Sequence, residues 1–112
     1  MAVTFRSAEI EQLAVSPGAT IYTVPANTTS QVIFANCTNE STGALTFTIH
    51  KIQSGGSAGD TNLYVDAKSI GAGKTDLVSE IIGMVLEAGD FITAFGSGAT
   101  ALNLTLSIKE IV

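Results

Sequence analysis

From Leu102 to Lys109 the chain alternates without a break, with Leu102, Leu104, Leu106 and Ile108 apolar and Asn103, Thr105, Ser107 and Lys109 polar. An extended backbone sends successive side chains to opposite faces, so this segment is a strand with one core face and one solvent face. A helix of period 3.6 would scatter the same leucines around its circumference. The same period of two sets Leu45, Phe47 and Ile49 against Thr46, Thr48 and His50. It also sets Leu63, Val65 and Ala67 against Tyr64, Asp66 and Lys68. Residues 19–24 are rich in β-branched side chains and end at Pro25, while residues 31–37 are apolar on both faces and read as a central strand. Those two segments are expected to frame a hairpin around residues 25–29.

The punctuation between strands is equally regular. Residues 39–43 and 54–60 concentrate Gly, Ser, Asn and Asp, and Gly71-Ala72-Gly73-Lys74 and Ala88-Gly89-Asp90 are shorter turns of the same chemistry. Only residues 77–86 are ambiguous, because Leu77, Val78, Ile81, Ile82, Val85 and Leu86 fall at helical spacing. Gly83 interrupts that pattern and the neighbours are strands, which favours a short turn followed by a strand. Phe91–Phe95 continues the series.

Seven to nine short strands with no long helix predict an all-β, antiparallel two-sheet β-sandwich of jelly-roll or Greek-key type, with a barrel as the structural alternative. Residues 17–112 are expected to form that sandwich. Residues 1–16 fit the sandwich less well, because Arg6 to Glu11 is polar and precedes the turn at Ser16-Pro17-Gly18, and they are expected to be an N-terminal arm carrying one strand, Ile10 to Val15, which packs on its own sheet or on a neighbour's. Because the strands from Ala19 onward carry their own core face, the sandwich is expected to fold without the arm.

Composition removes several functional classes. The 112 residues are enough for one domain and one ordinary core. Hydrophobic residues make up 46% of the chain, yet no window approaches the roughly 18 consecutive apolar residues of a membrane span, so no membrane partner is expected. The first residues lack the apolar stretch of a secretory signal, which implies synthesis in a cytoplasm. Ten acids against five bases give a formal charge of -5, and Arg6, Lys51, Lys68, Lys74 and Lys109 are scattered. Phosphate backbones are bound by clustered cations, so direct nucleic-acid binding is not expected. The single cysteine, Cys37, excludes an internal disulfide and reads as a small buried hydrophobe.

Each catalytic or ligand-binding pattern fails on inspection. Residues 70–75 end in the Gly-Lys-Thr of a phosphate loop, but the glycine required five residues before Gly73 is Lys68 and no helix is expected after it. Gly96-Ser97-Gly98-Ala99-Thr100-Ala101 matches a relaxed dinucleotide fingerprint, but a strand succeeds it, which makes it a hairpin loop. The sequons at Asn27, Asn36, Asn39 and Asn103 read as turn and strand asparagines in a chain without a secretory route. Asp60, Asn62 and Asp66 lack the spacing and closing glutamate of a calcium loop, and Glu87 and Asp90 flank a turn. His50, the only histidine, lies on the face opposite Phe47 and Ile49, and one His with one Cys leaves a zinc ion short of ligands. No catalytic residue, no metal ligand and no cofactor are assigned, and the chain reads as not an enzyme.

The run Ala19-Thr20-Ile21-Tyr22-Thr23-Val24-Pro25-Ala26-Asn27-Thr28-Thr29, with the strand ending Asn36-Cys37-Thr38-Asn39, resembles the small β-sandwich structural proteins of tailed bacteriophages. Residues 54–60 and Val85-Leu86-Glu87-Ala88-Gly89-Asp90 resemble segments of the same group, so the likeness extends over roughly residues 17 to 111. It implies a virion structural protein and transfers no site residue. A small free-standing sandwich of that group looks most like a capsid decoration or cement protein, binding the major capsid protein or other virion proteins as a homo-oligomer. A trimer is favoured, with the arm crossing a subunit boundary. A neck, collar or tail-attached protein is the alternative role. A carbohydrate-binding virion module is a further alternative, for which two tyrosines and no tryptophan make a thin aromatic platform.

Overall fold

The computed structural model describes residues 2–7, 11–99 and 101–112. Among them the chain forms ten strands: β1 (Val3–Ser7), β2 (Glu11–Gln12), β3 (Ala19–Thr23), β4 (Thr29–Asn39), β5 (Leu45–Ile52), β6 (Leu63–Ile70), β7 (Thr75–Leu77), β8 (Val85–Leu86), β9 (Phe91–Gly96) and β10 (Leu102–Ile111). A single 3-10 turn covers Asp60–Asn62. One sheet has the order β1-β10-β4-β7, with β2 also paired to β10 and β8 to β4; the other has the order β3-β9-β5-β6. All pairings are antiparallel and they nest: β1 with β10, β3 with β9, β4 with β7 and β8, β5 with β6. A chain whose first half pairs strand by strand with its second half, then wraps into two facing sheets, is a jelly roll.

The apolar faces expected from the alternation meet between the sheets. Leu102, Leu104, Leu106 and Ile108 are buried on β10 beside Val32, Ala35 and Cys37 of β4. Phe47, Ile49, Ile92 and Ala94 oppose them from β5 and β9. Residues 78–84 form turns rather than a helix, and Val78 and Ile81 plug one edge of the core before β8 begins. β6 departs from its expected phase at Ala67, which is exposed with φ 47° while Ile70 is buried. Three residue steps of β6, from Val65 to Lys68, span only two of β5, from Ile49 to Phe47. That bulge re-phases the strand so that Ile70 reaches the core, and the Ala67 N–H is satisfied by the Thr48 hydroxyl oxygen at 3.1 Å.

Two expected hairpins are instead crossings between sheets. Residues 24–28 carry the chain from β3 in one sheet to β4 in the other, and residues 97–101 carry it from β9 to β10, with Thr100 outside the described residues. Sequence adjacency suggested hairpins because turn chemistry is the same in both cases. What decides is that β3 pairs with β9 and β4 with β10.

The N-terminal segment lies along its own sheet. β1 pairs with β10 from Val3↔Ile111 to Ser7↔Ser107, and β2 pairs Gln12 with Asn103. The strand expected over residues 10–15 begins at a residue outside those described, and within that span the paired stretch is only the two-residue β2. Leu13 is then buried in the core, its N–H donating to the Leu102 carbonyl at 2.8 Å, and the Gly96 N–H donates to the Ala14 carbonyl at 2.9 Å. The turn after it needs a glycine at 18: φ is +79°, and a Cβ there would stand 2.1 Å from the Ala94 carbonyl oxygen.

Polar clamps close the two ends of the sandwich. Asn39, fully buried, donates through Nδ2 to the Gly43 and Ile70 carbonyls, both at 2.9 Å, and accepts the Ser41 N–H through Oδ1 at 2.8 Å. It thereby joins the end of β4 to the end of β6 across the sheets. At the other end the Tyr22 hydroxyl of β3 bonds Ser30 of β4 at 2.8 Å and the Glu110 carboxylate of β10, and Arg6 of β1 lies 3.6 Å from the same carboxylate. Every described buried side-chain N or O atom has a partner.

Chemical denaturation checks this packing. Phe47→Ala and Leu104→Ala are expected to cost roughly 2–5 kcal/mol through cavity formation. Asn39→Ala should cost about 1–3 kcal/mol, because it orphans buried backbone groups. Deleting residues 1–7 leaves the core row covered, whereas deletion through Val15 also removes Leu13 and is expected to lower stability further by about 2–5 kcal/mol.

Candidate interaction face

Cross-strand partners share a face, so the register fixes which side chains leave the β1-β10-β4-β7 sheet outward. Since Leu104 and Leu106 point inward, the pairs Asn103↔Thr38, Thr105↔Asn36, Ser107↔Phe34, Lys109↔Gln31 and Ile111↔Thr29 point outward. Continuing sideways, Val3 and Phe5 join through Ile111 and Lys109, Leu77 through Asn36, and Val85 through Gln31. A bulge in β4 opposite Ser107 and Ile108 inserts Ile33, so that Ile33 and Phe34 are both exposed.

The result is a face unlike an ordinary solvated sheet surface. Six large apolar side chains are exposed on it: Val3, Phe5 (71%), Ile33, Phe34, Leu77 (53%) and Val85. Between them stand Thr, Ser, Asn and Gln, and Lys109 is the one charge among the outward positions whose side chains are described. Glu87 sits at the rim, where it accepts a 3.5 Å hydrogen bond from the Thr29 hydroxyl. Ionised groups resist desolvation, so a face that holds apolar groups and excludes charge is the kind most readily covered by another protein surface. β1 borders this face as an edge strand.

Little in the sequence warns of this face. Residues 31–37 are apolar on both sides because one side meets the core and the other reaches it. Val3 and Phe5 lie in a short stretch where their alternation around Thr4 was the only available signal.

The residues weighed for chemistry are dispersed and engaged structurally. Cys37 is buried in the core on β4, whereas His50 belongs to β5 of the opposite sheet. Asp90 accepts the Glu87 N–H at 3.0 Å and the Ser54 N–H at 3.2 Å, so its carboxylate fastens two turns. Asn62 accepts the Gly59 N–H and donates to the Ser57 carbonyl. Gly71–Lys74 is a tight turn closed by the Lys74 N–H on the Gly71 carbonyl at 3.2 Å. Among the described residues no three His, Cys, Asp or Glu side chains gather in a group able to hold a metal, and no helix is long and apolar enough to cross a membrane.

Fold and face together define a jelly-roll β-sandwich with an uncovered apolar sheet surface. No protein-family model matches the chain, and no curated protein matches it. Among solved structures, a chain in the structure of infectious bursal disease virus, Gx strain, superposes with a TM-score of 0.50 at 17% sequence identity, over 97% of this chain and 32% of that one. The present chain thus spans about a third of the length of that viral chain, and the likeness is one of fold.

Two groups in the core carry pH dependence. Burial, reinforced by the hydrogen bond to Glu110, pushes the Tyr22 phenol up from 10.0 to about 12. Burial, with the Asp76 carboxylate adding to it, pushes the Cys37 thiol up from 9.0 to about 11. Both groups hold their protons more tightly folded than unfolded, so their contribution to stability is complete below about pH 9 and drains away between pH 9 and about 12. Urea denaturation across that range should show stability falling with pH, and Tyr22→Phe and Cys37→Ala should each flatten the decline. An unchanged slope in both variants would show that these groups are not its source.

Proposed function

We propose that this protein is a structural component of a virion, a capsid decoration or cement protein of a tailed bacteriophage that binds the outer capsid lattice and stabilises it. The observation that carries the reading is the outer face of the β1-β10-β4-β7 sheet, where six exposed apolar side chains share a surface with a single lysine among the outward positions described. A face of this kind suits a protein that acts by shape and buried area. The resemblance of residues 17–111 to phage structural proteins and the fold it shares with a chain from a virus structure support the same direction. In this account the protein is made in the host bacterial cytoplasm, joins the virion through protein contacts alone, and performs no catalysis.

Self-association fits the adjoining β1 edge, where an edge strand offers unpaired backbone groups to a second copy. A homotrimer closed along that edge would leave the apolar face free to meet the capsid.

Native mass measurement and cryo-electron microscopy of the assembled particle test the proposal. The expected result is a trimer in solution and regularly repeated copies over the capsid surface. A few copies confined to the neck or tail would assign the protein to the alternative role. Phe34→Ser combined with Leu77→Thr should leave folding within about 1 kcal/mol yet reduce particle binding at least about tenfold, the equivalent of about 1.4 kcal/mol. A monomer at high micromolar concentration that also ignores the capsid would overturn the reading.

A further inference from the structure

The second sheet carries a different kind of surface at its β6 edge. Where the end of β5 meets the 3-10 turn and the start of β6, Lys51, Gln53, Thr61, Asn62 and Tyr64 enclose a half-open cleft of about 300 Å³. That is the lower end of the volume range of small-molecule sites. One wall is held in place, since Asn62 accepts the Gly59 N–H at 3.0 Å and donates to the Ser57 carbonyl at 2.9 Å, which braces the loop before β6.

The cleft's remaining polar groups are unspent. Among the described residues Lys51 has no ion pair, and neither it, Gln53 nor Thr61 has a side-chain hydrogen bond. Lys68, by contrast, is taken up by Glu80 at 3.2 Å. Tyr64 is 44% exposed, and the acids nearest in sequence, Asp60 and Asp66, are exposed to solvent. An aromatic face beside an amide, a hydroxyl and an unpaired ammonium matches a pyranose ring: its C–H face packs on the ring, its hydroxyls bond the amide and hydroxyl, and the ammonium asks for an anionic substituent. A phosphate-rich ligand fits less well, for a single lysine supplies the only positive charge of the cleft.

We propose that this cleft binds an acidic saccharide, a pyranose bearing a carboxylate held by Lys51 with its ring stacked on Tyr64. The site shares no residue with the apolar face, so the inference does not rest on the capsid role, and each can fail alone. Carboxylated pyranoses include hexuronic acids and nonulosonic acids, and the probes separate these two chemical classes.

Titration of the ¹⁵N-labelled full chain with glucuronic acid and with N-acetylneuraminic acid tests the site, with glucose and acetate as controls. Amide shifts confined to residues 51–53 and 61–64, saturating in the millimolar range with at least one acidic sugar, are expected, and the sugar that saturates identifies the class of acidic pyranose. Lys51→Gln and Tyr64→Ala should each abolish saturation while the remaining spectrum stays that of the folded chain. The proposal is overturned by an absence of shifts at about 50 mM of both acids, by acetate or glucose reproducing the response, or by binding that survives both substitutions.

Discussion

The arrangement depends on one strand. β10 lies between β1 and β4, and its row of Leu102, Leu104, Leu106 and Ile108 is fully buried against the opposite sheet. Because the side-chain period is two, a slip of one residue would move all four to the outer face and bring Asn103, Thr105, Ser107 and Lys109 into the core. Burying four large aliphatic side chains contributes on the order of 6–12 kcal/mol before chain entropy is counted, comparable to the net stability of a whole domain. The register of β10 is therefore strongly enforced, and it fixes that of β1 and β4 with it.

The outer face is set by the same register. Holding β10 in phase turns Phe34 and Gln31 of β4 outward, and through them Leu77 and Val85, while β1 places Val3 and Phe5 beside Ile111 and Lys109. The bulge at Ile33 adds one more apolar group without disturbing the buried Val32 and Ala35. The core and the candidate interface are thus two sides of one ladder. A substitution that shifts the ladder alters both, whereas one confined to an outward side chain alters only the interface.

How much of this was legible depended on whether the information was local. The strands were, because alternation is a property of neighbouring residues: β5 and β10 lie where Leu45, Phe47, Leu104 and Leu106 place them, and Gly83 does end any helical reading of residues 77–86. Which strands pair was not, since turn residues such as Pro25-Ala26-Asn27 serve equally in a hairpin and in a crossing between sheets. The bulge at Ala67 was invisible because a left-handed alanine has no sequence signature. The interaction face was hidden for a related reason: Ile33 and Phe34 read as buried residues of a central strand, and only the absence of a covering layer among the described residues shows otherwise. The cleft beside Tyr64 needed residues from β5 and from the 3-10 turn to be brought together, which sequence spacing alone does not do.

If the protein acts as proposed, the outer face of the β1-β10-β4-β7 sheet is covered in the assembled virion. Hydroxyl-radical footprinting of the free chain and of assembled particles measures this directly, since Phe5, Phe34 and Leu77 are oxidisable reporters on that face and Tyr64 reports on the other sheet. Phe5, Phe34 and Leu77 are predicted to become protected on the particle while Tyr64 stays as reactive as in the free chain. Equal reactivity of Phe5, Phe34 and Leu77 in the two states would contradict the proposed covering of this face.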